Sequence, residues 1–350
     1  LRKSANKPIG VIGAGSFGTV IANYLAENNK VILYVRRAEQ AEEINKSRQS
    51  SNQPLHENIL ISNSIEQVAN ECEVIFPIIP SSNFREMMSQ FGPYLHPYHI
   101  LIHGTKGLDI QLPAGVKLDD PDFKLSREHV RTMSEVITDE SSVVRVGCLA
   151  GPNLAREMAD KQPAATVIAS RYKEVILQGQ KLLRNDRFQV YGNHDITGVE
   201  LCGVLKNIIA IASGALSGLG YGDNARALLI SRGMVEMIYI GRAFGGNVEA
   251  FIGLAGVGDL VATCTSTLSR NFTVGYRLAK GETLPQILAT MEEVAEGVNT
   301  VKIITKMSDS LNLRAPITEN LYKVLFEGLP VEKALNYLMK YPLNVDIDFL

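Results

Sequence analysis

The sequence has no tryptophan, few histidines, few cysteines and no excess of either charge. Each shortage narrows what the chain can be. The four cysteines, Cys72, Cys148, Cys202 and Cys264, stand far apart with no CxxC pair. Neither a metal site nor a disulfide framework has its spacing here, and scattered thiols read as reduced residues of a cytoplasmic protein. The six histidines are equally dispersed. His96 and His99 lie close to Pro97 but lack a cysteine or carboxylate partner nearby, so a surface turn is expected there and no metal. Lysine and arginine number 35 against 37 acids, a net charge of −2, which marks neither a nucleic-acid binder nor a membrane-surface binder. The longest apolar stretch, residues 199–219, carries Glu200, Lys206 and Asn207 near its start, which argues against a membrane span. Near the N-terminus the first apolar run begins at Ile9. It is short and broken by glycine, and reads as a strand rather than a signal peptide.

What is present is ordinary globular composition: 45% apolar and 21% charged residues. At roughly 150 residues per domain the length implies two domains. The first half alternates short apolar runs with helical spacing. Strands are expected at residues 9–12, 30–35, 74–79, 100–103, 142–149 and 165–168. Their runs are continuous rather than alternating, as in strands covered on both faces of a parallel sheet. Pro77 is unfavourable within its run, because proline removes a ladder donor. After residue 195 the pattern turns helical, at 196–217, 224–244, 247–253, 269–280, 284–291, 297–310, 315–327 and 330–339. The expected boundary is near residue 193, dividing 1–193 from 194–350. Residues 111–125, with Pro113, Gly115, Pro121, Asp119 and Asp120, read as a surface loop or hairpin insertion.

Gly13-Ala14-Gly15-Ser16-Phe17-Gly18 fits GxGxxG, and it follows a strand and opens a helix. Gly13 permits a tight turn, Gly15 lets backbone approach a pyrophosphate, and Gly18 permits close helix–strand packing. The fold class is therefore α/β, an N-terminal Rossmann-like, doubly wound and mostly parallel sheet followed by an all-helical C-terminal domain. An NAD site usually ends the second strand on an acid, whereas this chain has Arg36-Arg37 and its first acid is Glu39. Two guanidiniums suit a 2′-phosphate, which favours NADP with NAD as a second cofactor. A solvated basic strand end is the plain alternative.

Three charged residues have apolar or glycine-rich neighbours: Lys106 in HGTKG, Lys206 in GVLKNII and Asp259 in GVGDL. A lysine among apolar residues must snorkel, pair or change its pKa. A desolvated lysine can take or give the proton when an alcohol and a carbonyl interconvert, and a second cation can polarise the carbonyl. Gly203, Asn207, Ala210, Gly214 and Gly218 form a small, polar stripe that admits another helix or a ligand. Ser269-Arg270-Asn271 ends a polar stretch at a helix start, an arrangement that suits a phosphate; a simple serine cap explains it equally.

These runs together resemble the NAD(P)-dependent glycerol-3-phosphate dehydrogenases of the bacterial soluble type. The resemblance spans about residues 8–340. It rests on GAGSFGT at 13–19, IPS at 79–81, TKGL at 105–108, AGPNLARE at 150–157, GVLKNIIAI at 203–211, NARALLISRG at 224–233, GLAGVGDLVATC at 253–264, SRN at 269–271 and VAEG at 294–297. It implies reversible hydride transfer between NAD(P)H and dihydroxyacetone phosphate, giving sn-glycerol 3-phosphate for glycerophospholipid synthesis. A cytoplasmic homodimer acting on a small molecule, without nucleic acid or a membrane span, is implied as well. By position, Lys206 matches the proton acceptor, and Lys106 matches a lysine touching substrate and nicotinamide. Asp259 and Thr263 match a substrate-site pair, with Asn207 beside the base. Ser269, Arg270 and Asn271 match the phosphate-holding run, and Arg270 also meets the cofactor. Gly151 and Asn153 match a substrate loop, although Asn153 stands where the family has Ser or Thr. Ser16, Phe17, Arg36, Ala155, Val294 and Glu296 match cofactor contacts. The segment 111–125 has no counterpart in the family pattern. A β-hydroxyacid or 6-phosphogluconate-type dehydrogenase is the nearest rival, opposed by the GDL…TC…SRN run. A nucleotide sensor without chemistry would be expected to lack Lys106, Lys206 or Asp259.

Overall fold

Continuous aliphatic runs form the strands of an eight-stranded sheet. Its order is Phe188–Asn193, Ala164–Ala169, Arg145–Ala150, Ile100–His103, Val74–Pro77, Ile9–Ile12, Val31–Tyr34, Ile59–Ser62. Every pairing is parallel except that of Arg145–Ala150 with Ala164–Ala169. The central strands are buried along their whole length. Val11, Leu33, Phe76 and Ile102 have no exposed surface, and such side chains contribute about 1.5–3 kcal/mol each. Pro77 is tolerated because it ends its strand: the ladder to Ile100–His103 stops at Ile75 and Leu101. The two edge strands, Ile59–Ser62 and Phe188–Asn193, were not foreseen. Each is only partly buried, and Gly192 and Asn193 gave the second a turn-like look.

The structure is a computed structural model that describes residues 7–120, 123–291 and 294–340. It divides into two units. One takes the residues up to Asp109 together with Thr132–Ile196; the other takes Ile110–Arg131 and the residues from Thr197 on. The segment at 110–131 thus departs from the 1–193 boundary and joins the helical unit. Its own contacts show why: Arg127 lies over the Phe244 ring at 5.1 Å, and Asp119 meets Lys302 at 3.7 Å. Pro121 lies outside the described residues. Within the sheet unit, Arg85 holds the point where the chain departs, pairing with Asp109 at 2.7 Å, Asp139 at 3.3 Å and Glu140.

The expected turn is present: His99 N donates to His96 O at 3.0 Å and residues 96–98 are exposed, but His99 itself is fully buried. Its Nδ1 accepts from the His96 backbone N–H at 2.8 Å, so Nε2 carries the proton that reaches Ala69 O at 2.9 Å. Among the described residues, no cluster of His, Cys, Asp and Glu could hold a metal.

The helical unit is organised on the Ile196–Gly218 helix. It is long and apolar enough to cross a membrane, but its most apolar window is 94% buried inside the protein. The small-residue stripe is a packing seam. A Cβ on Gly214 would lie 1.9 Å from Phe272 O, and one on Gly275 would lie 1.8 Å from Ile211 O. The Arg270–Ala279 helix therefore meets the core helix backbone to backbone. One helical run was missed: Leu254–Gly258 forms a π turn leading into Asp259–Thr265. Its glycines hid it, yet Gly256 is required, since a Cβ there would sit 1.8 Å from Phe251 O.

The same unit carries a half-open, largely apolar pocket of about 410 Å3, walled partly by Arg232, Glu236 and Arg314. Glu236 accepts from Ile317 N at 2.8 Å and Thr318 N at 2.9 Å, and so caps the Pro316–Phe326 helix. Burial pushes its carboxyl from 4.5 up to about 7, against the pull of those hydrogen bonds. The folded state then holds a proton that the unfolded state has released. The stabilisation is complete below about pH 4.5 and is lost as pH rises through about 7. Between those limits stability should fall by about 3 kcal/mol in the native protein. Glu236→Gln should flatten that fall; equal slopes in thermal melts of both proteins between about pH 5 and pH 8 would remove Glu236 as its source.

Candidate active site

In the sheet unit the glycine loop joins Ile9–Ile12 to the Ser16–Ala26 helix. Gly13 has φ +114°, and a Cβ on it would lie 2.2 Å from Ile78 O; one on Gly18 would lie 2.0 Å from Gly13 O. Both glycines are demanded by packing. Gly15 differs, because a Cβ there meets nothing within 4 Å. The space beside it opens into a cleft of about 360 Å3, whose walls include Tyr34, Arg36, Asn83 and Glu86. Open space over a glycine at a helix N-terminus, with a cation on the cleft wall, fits a dinucleotide. The arginine pair divides. Arg36 lines the cleft, 3.9 Å from Glu86, whereas Arg37 precedes the next helix and bonds Gln40 Oε1 at 3.2 Å.

A hairpin that the sequence did not reveal buttresses this loop. Ser50 and Ser51 hydroxyls donate to Ala14 O at 2.9 and 3.0 Å, and Gln53 reaches Ser16 O at 3.4 Å. The turn residues Ser51 and Asn52, both at positive φ, were its only local signal. Nearby, Phe17 packs against Gly104, where a Cβ would approach its ring to 3.1 Å. Ala155 opens the short Ala155–Ala159 helix and packs on the sheet core.

Lys106 follows the Ile100–His103 strand, behind Thr105, whose hydroxyl donates to Ile79 O at 2.7 Å. Its Nζ donates to Gly151 O at 3.0 Å. Gly151 has φ +148° and lies close to Thr166. Two residues on, Asn153 Nδ2 donates to Thr166 Oγ1 at 2.9 Å. Lys106, Gly151 and Asn153 therefore share one neighbourhood.

The helical unit gathers a second set. Lys206 is 5% exposed on the core helix, and Asp259 is 2% exposed just after the π turn. Lys206 Nζ lies 3.0 Å from Asp259 Oδ1 and 2.5 Å from Thr263 Oγ1. Thr263 in turn donates to Asp259 O at 2.6 Å. Ser213 Oγ donates to Cys264 O at 2.7 Å and pins this segment to the core helix. Asp259 and Thr263 thus fix the position of the ammonium. Asn207, the next residue, is also buried. Ser269 acts as a helix cap, its Oγ accepting from Phe272 N at 3.3 Å. Arg270 follows it, exposed, and Asn271 is buried with its Oδ1 on Gly297 N at 3.0 Å. Val294 is half exposed just before Glu296, which begins the Glu296–Leu311 helix.

Residues 8–176 match the family described as NAD-dependent glycerol-3-phosphate dehydrogenase N-terminus, and residues 195–336 match its C-terminus. The chain belongs to the glycerol-3-phosphate dehydrogenase family. A glycerol-3-phosphate dehydrogenase [NAD(P)+] from Teredinibacter turnerae is 37% identical over 97% of this chain and 96% of its own. One from Ectopseudomonas mendocina is 38% identical over 98% and 97%. The crystal structure of the Coxiella burnetii glycerol-3-phosphate dehydrogenase superimposes with a TM-score of 0.85, at 32% identity over 96% of this chain and 99% of that one.

The dehydrogenase is an NAD(P)-dependent oxidoreductase acting on a CH–OH group, and its reaction interconverts dihydroxyacetone phosphate and glycerol 3-phosphate. Of the residues singled out for that chemistry, the helical unit unites Lys206, Asp259 and Thr263. The sheet unit unites Lys106 with Gly151.

Proposed function

We propose that Lys206 exchanges the proton at the C2 oxygen of the substrate. One observation carries this reading: an amine buried in an apolar helix, 3.0 Å from the carboxylate of Asp259 and bonded to Thr263. In the direction of reduction, Lys206 gives its proton to the oxygen as the carbonyl becomes an alcohol. Asp259 and Thr263 hold the amine in place while its charge changes. Lys106 and Asn207 orient and polarise the same oxygen. Arg270 and Asn271 hold the phosphate, beside Ser269, and Gly151 and Asn153 form the loop along the substrate. The nicotinamide, when bound, supplies or takes the hydride at C2.

For the cofactor, Gly13, Gly15, Ser16, Phe17 and Gly18 form the pyrophosphate turn. Ala155, Val294 and Glu296 are further contacts, with Lys106 and Arg270 shared between cofactor and substrate. Arg36, on the cleft wall, reads a 2′-phosphate, so NADP is preferred and NAD is accepted. Arg37 adds positive charge at the same strand end. The enzyme works in the cytoplasm, a reading supported by four cysteines that form no disulfide. It supplies glycerol 3-phosphate for glycerophospholipids and acts as a homodimer. Ile252 and Met339, 64% and 63% exposed, are apolar surface that a second copy could cover.

The test is loss of NADPH absorbance on adding dihydroxyacetone phosphate, with 3-oxoacids as the control that should stay silent. Arg36→Ala should lower kcat/KM for NADPH about tenfold and leave that for NADH within about threefold. Equal losses with both would overturn the 2′-phosphate assignment.

A further inference from the structure

We propose that Gly297 is a positioning residue for the phosphate end of the substrate, because it sets the side-chain amide of Asn271 with its donor end outward. The proposal rests on the reading that Arg270 and Asn271 hold the phosphate. Gly297 is the second residue of the Glu296–Leu311 helix, where backbone N–H groups have no partner inside their own helix. Its N–H donates to Asn271 Oδ1 at 3.0 Å. Only the amide oxygen can receive that hydrogen, so the orientation of the carboxamide is decided. Nδ2 is the other end. It donates to no protein acceptor among the described residues, and it is not among the buried polar atoms left without a partner. An N–H2 group held in this way is a donor ready for an anion, next in sequence to the guanidinium of Arg270.

A side chain at position 297 disrupts this arrangement. A Cβ would lie 2.6 Å from Asn271 Oδ1, 2.9 Å from Asn207 O and 3.0 Å from Ile211 Cδ1. The Asn207 carbonyl lies within the core helix, whose backbone is also in contact with the Arg270–Ala279 helix through Gly214 and Gly275. Those two helices cannot give way easily. The strain therefore falls on the Asn271 amide and on the start of the Glu296–Leu311 helix, and the hydrogen bond that orients the amide is lost. A misplacement of this kind weakens binding of the group that Asn271 touches and leaves proton exchange at Lys206 in place.

The experiment compares dihydroxyacetone phosphate with unphosphorylated dihydroxyacetone as substrates of the full-length enzyme. Gly297→Ala should raise KM for dihydroxyacetone phosphate about tenfold, with kcat within about threefold, and leave kcat/KM for dihydroxyacetone within about twofold. Equal losses on both substrates, or no loss on either, would overturn the proposal. Asn271→Asp guards against a Gly297→Ala protein that does not fold. It keeps an acceptor for the Gly297 N–H but lacks the donor, so it should melt near the native temperature and raise KM for dihydroxyacetone phosphate at least about tenfold. An unchanged KM there overturns the proposal as well. The underlying reading fails separately: a native enzyme with no preference for the phosphorylated substrate would remove the phosphate grip itself.

Discussion

Lys206→Met should reduce kcat by a factor of about 10³ or more while NADPH binds as it does to the native enzyme. Methionine keeps much of the volume of the lysine stem but can neither give nor take a proton. The substitution also strands Asp259, which is 2% exposed and whose carboxylate meets Lys206 at 3.0 Å. Breaking a buried pair from one side typically costs about 3–5 kcal/mol, so the single variant should melt lower. The double variant Lys206→Met, Asp259→Asn separates the two effects. It removes the stranded charge and should recover most of the stability without recovering turnover. The measurements are kcat for reduction of dihydroxyacetone phosphate, NADPH affinity and the melting temperature. A single variant that keeps kcat within about tenfold of native would mean that the proton travels by another route.

The two loop glycines should fail in different ways when each becomes alanine. At Gly13 the backbone has φ +114°, and a methyl would collide with Ile78 O at 2.2 Å and with Ile79 Cγ2 at 2.7 Å. Gly13→Ala should therefore cost about 3 kcal/mol or more and lose cofactor binding along with the fold around it. At Gly15 a methyl meets no protein atom. Gly15→Ala should melt within about 2 °C of native and still bind NADPH at least about tenfold more weakly, because the methyl fills the space over the helix N-terminus. Differential scanning fluorimetry beside NADPH titration checks both. Native affinity in Gly15→Ala would deny that the open space beside that residue holds the pyrophosphate.

Several features were legible residue by residue because their causes are local. Ile9–Ile12, Gly13, Gly15 and Gly18 stand adjacent in the chain, and the strand–turn–helix they form needs only their own backbone freedom and burial. Lys206 was conspicuous because Ile208, Ile209 and Ile211 follow it in sequence, and all three are buried in the folded helix. The Leu254–Thr265 run was not read as helix, since its glycines lower helix propensity. What keeps it helical is close packing, with Gly256 against Phe251 and Cys264 O tied to Ser213, and neither contact is visible in the run itself. The turn at His96–His99 was legible, but the burial of His99 was not, because its partner Ala69 is thirty positions away in the chain.

The glycine turn, the parallel sheet and the change to helices near residue 195 were written in composition, period and motif, because each depends on neighbours along the chain. Tertiary structure alone decided which partners those residues take. It gave Lys206 to Asp259 and Thr263, separated Arg36 from Arg37, joined 110–131 to the helical unit and turned the amide of Asn271 through Gly297. The physical reason is that pairing and orientation depend on distances across packed helices and strands. Such distances follow from how volumes fill a core, and no short window of sequence contains them.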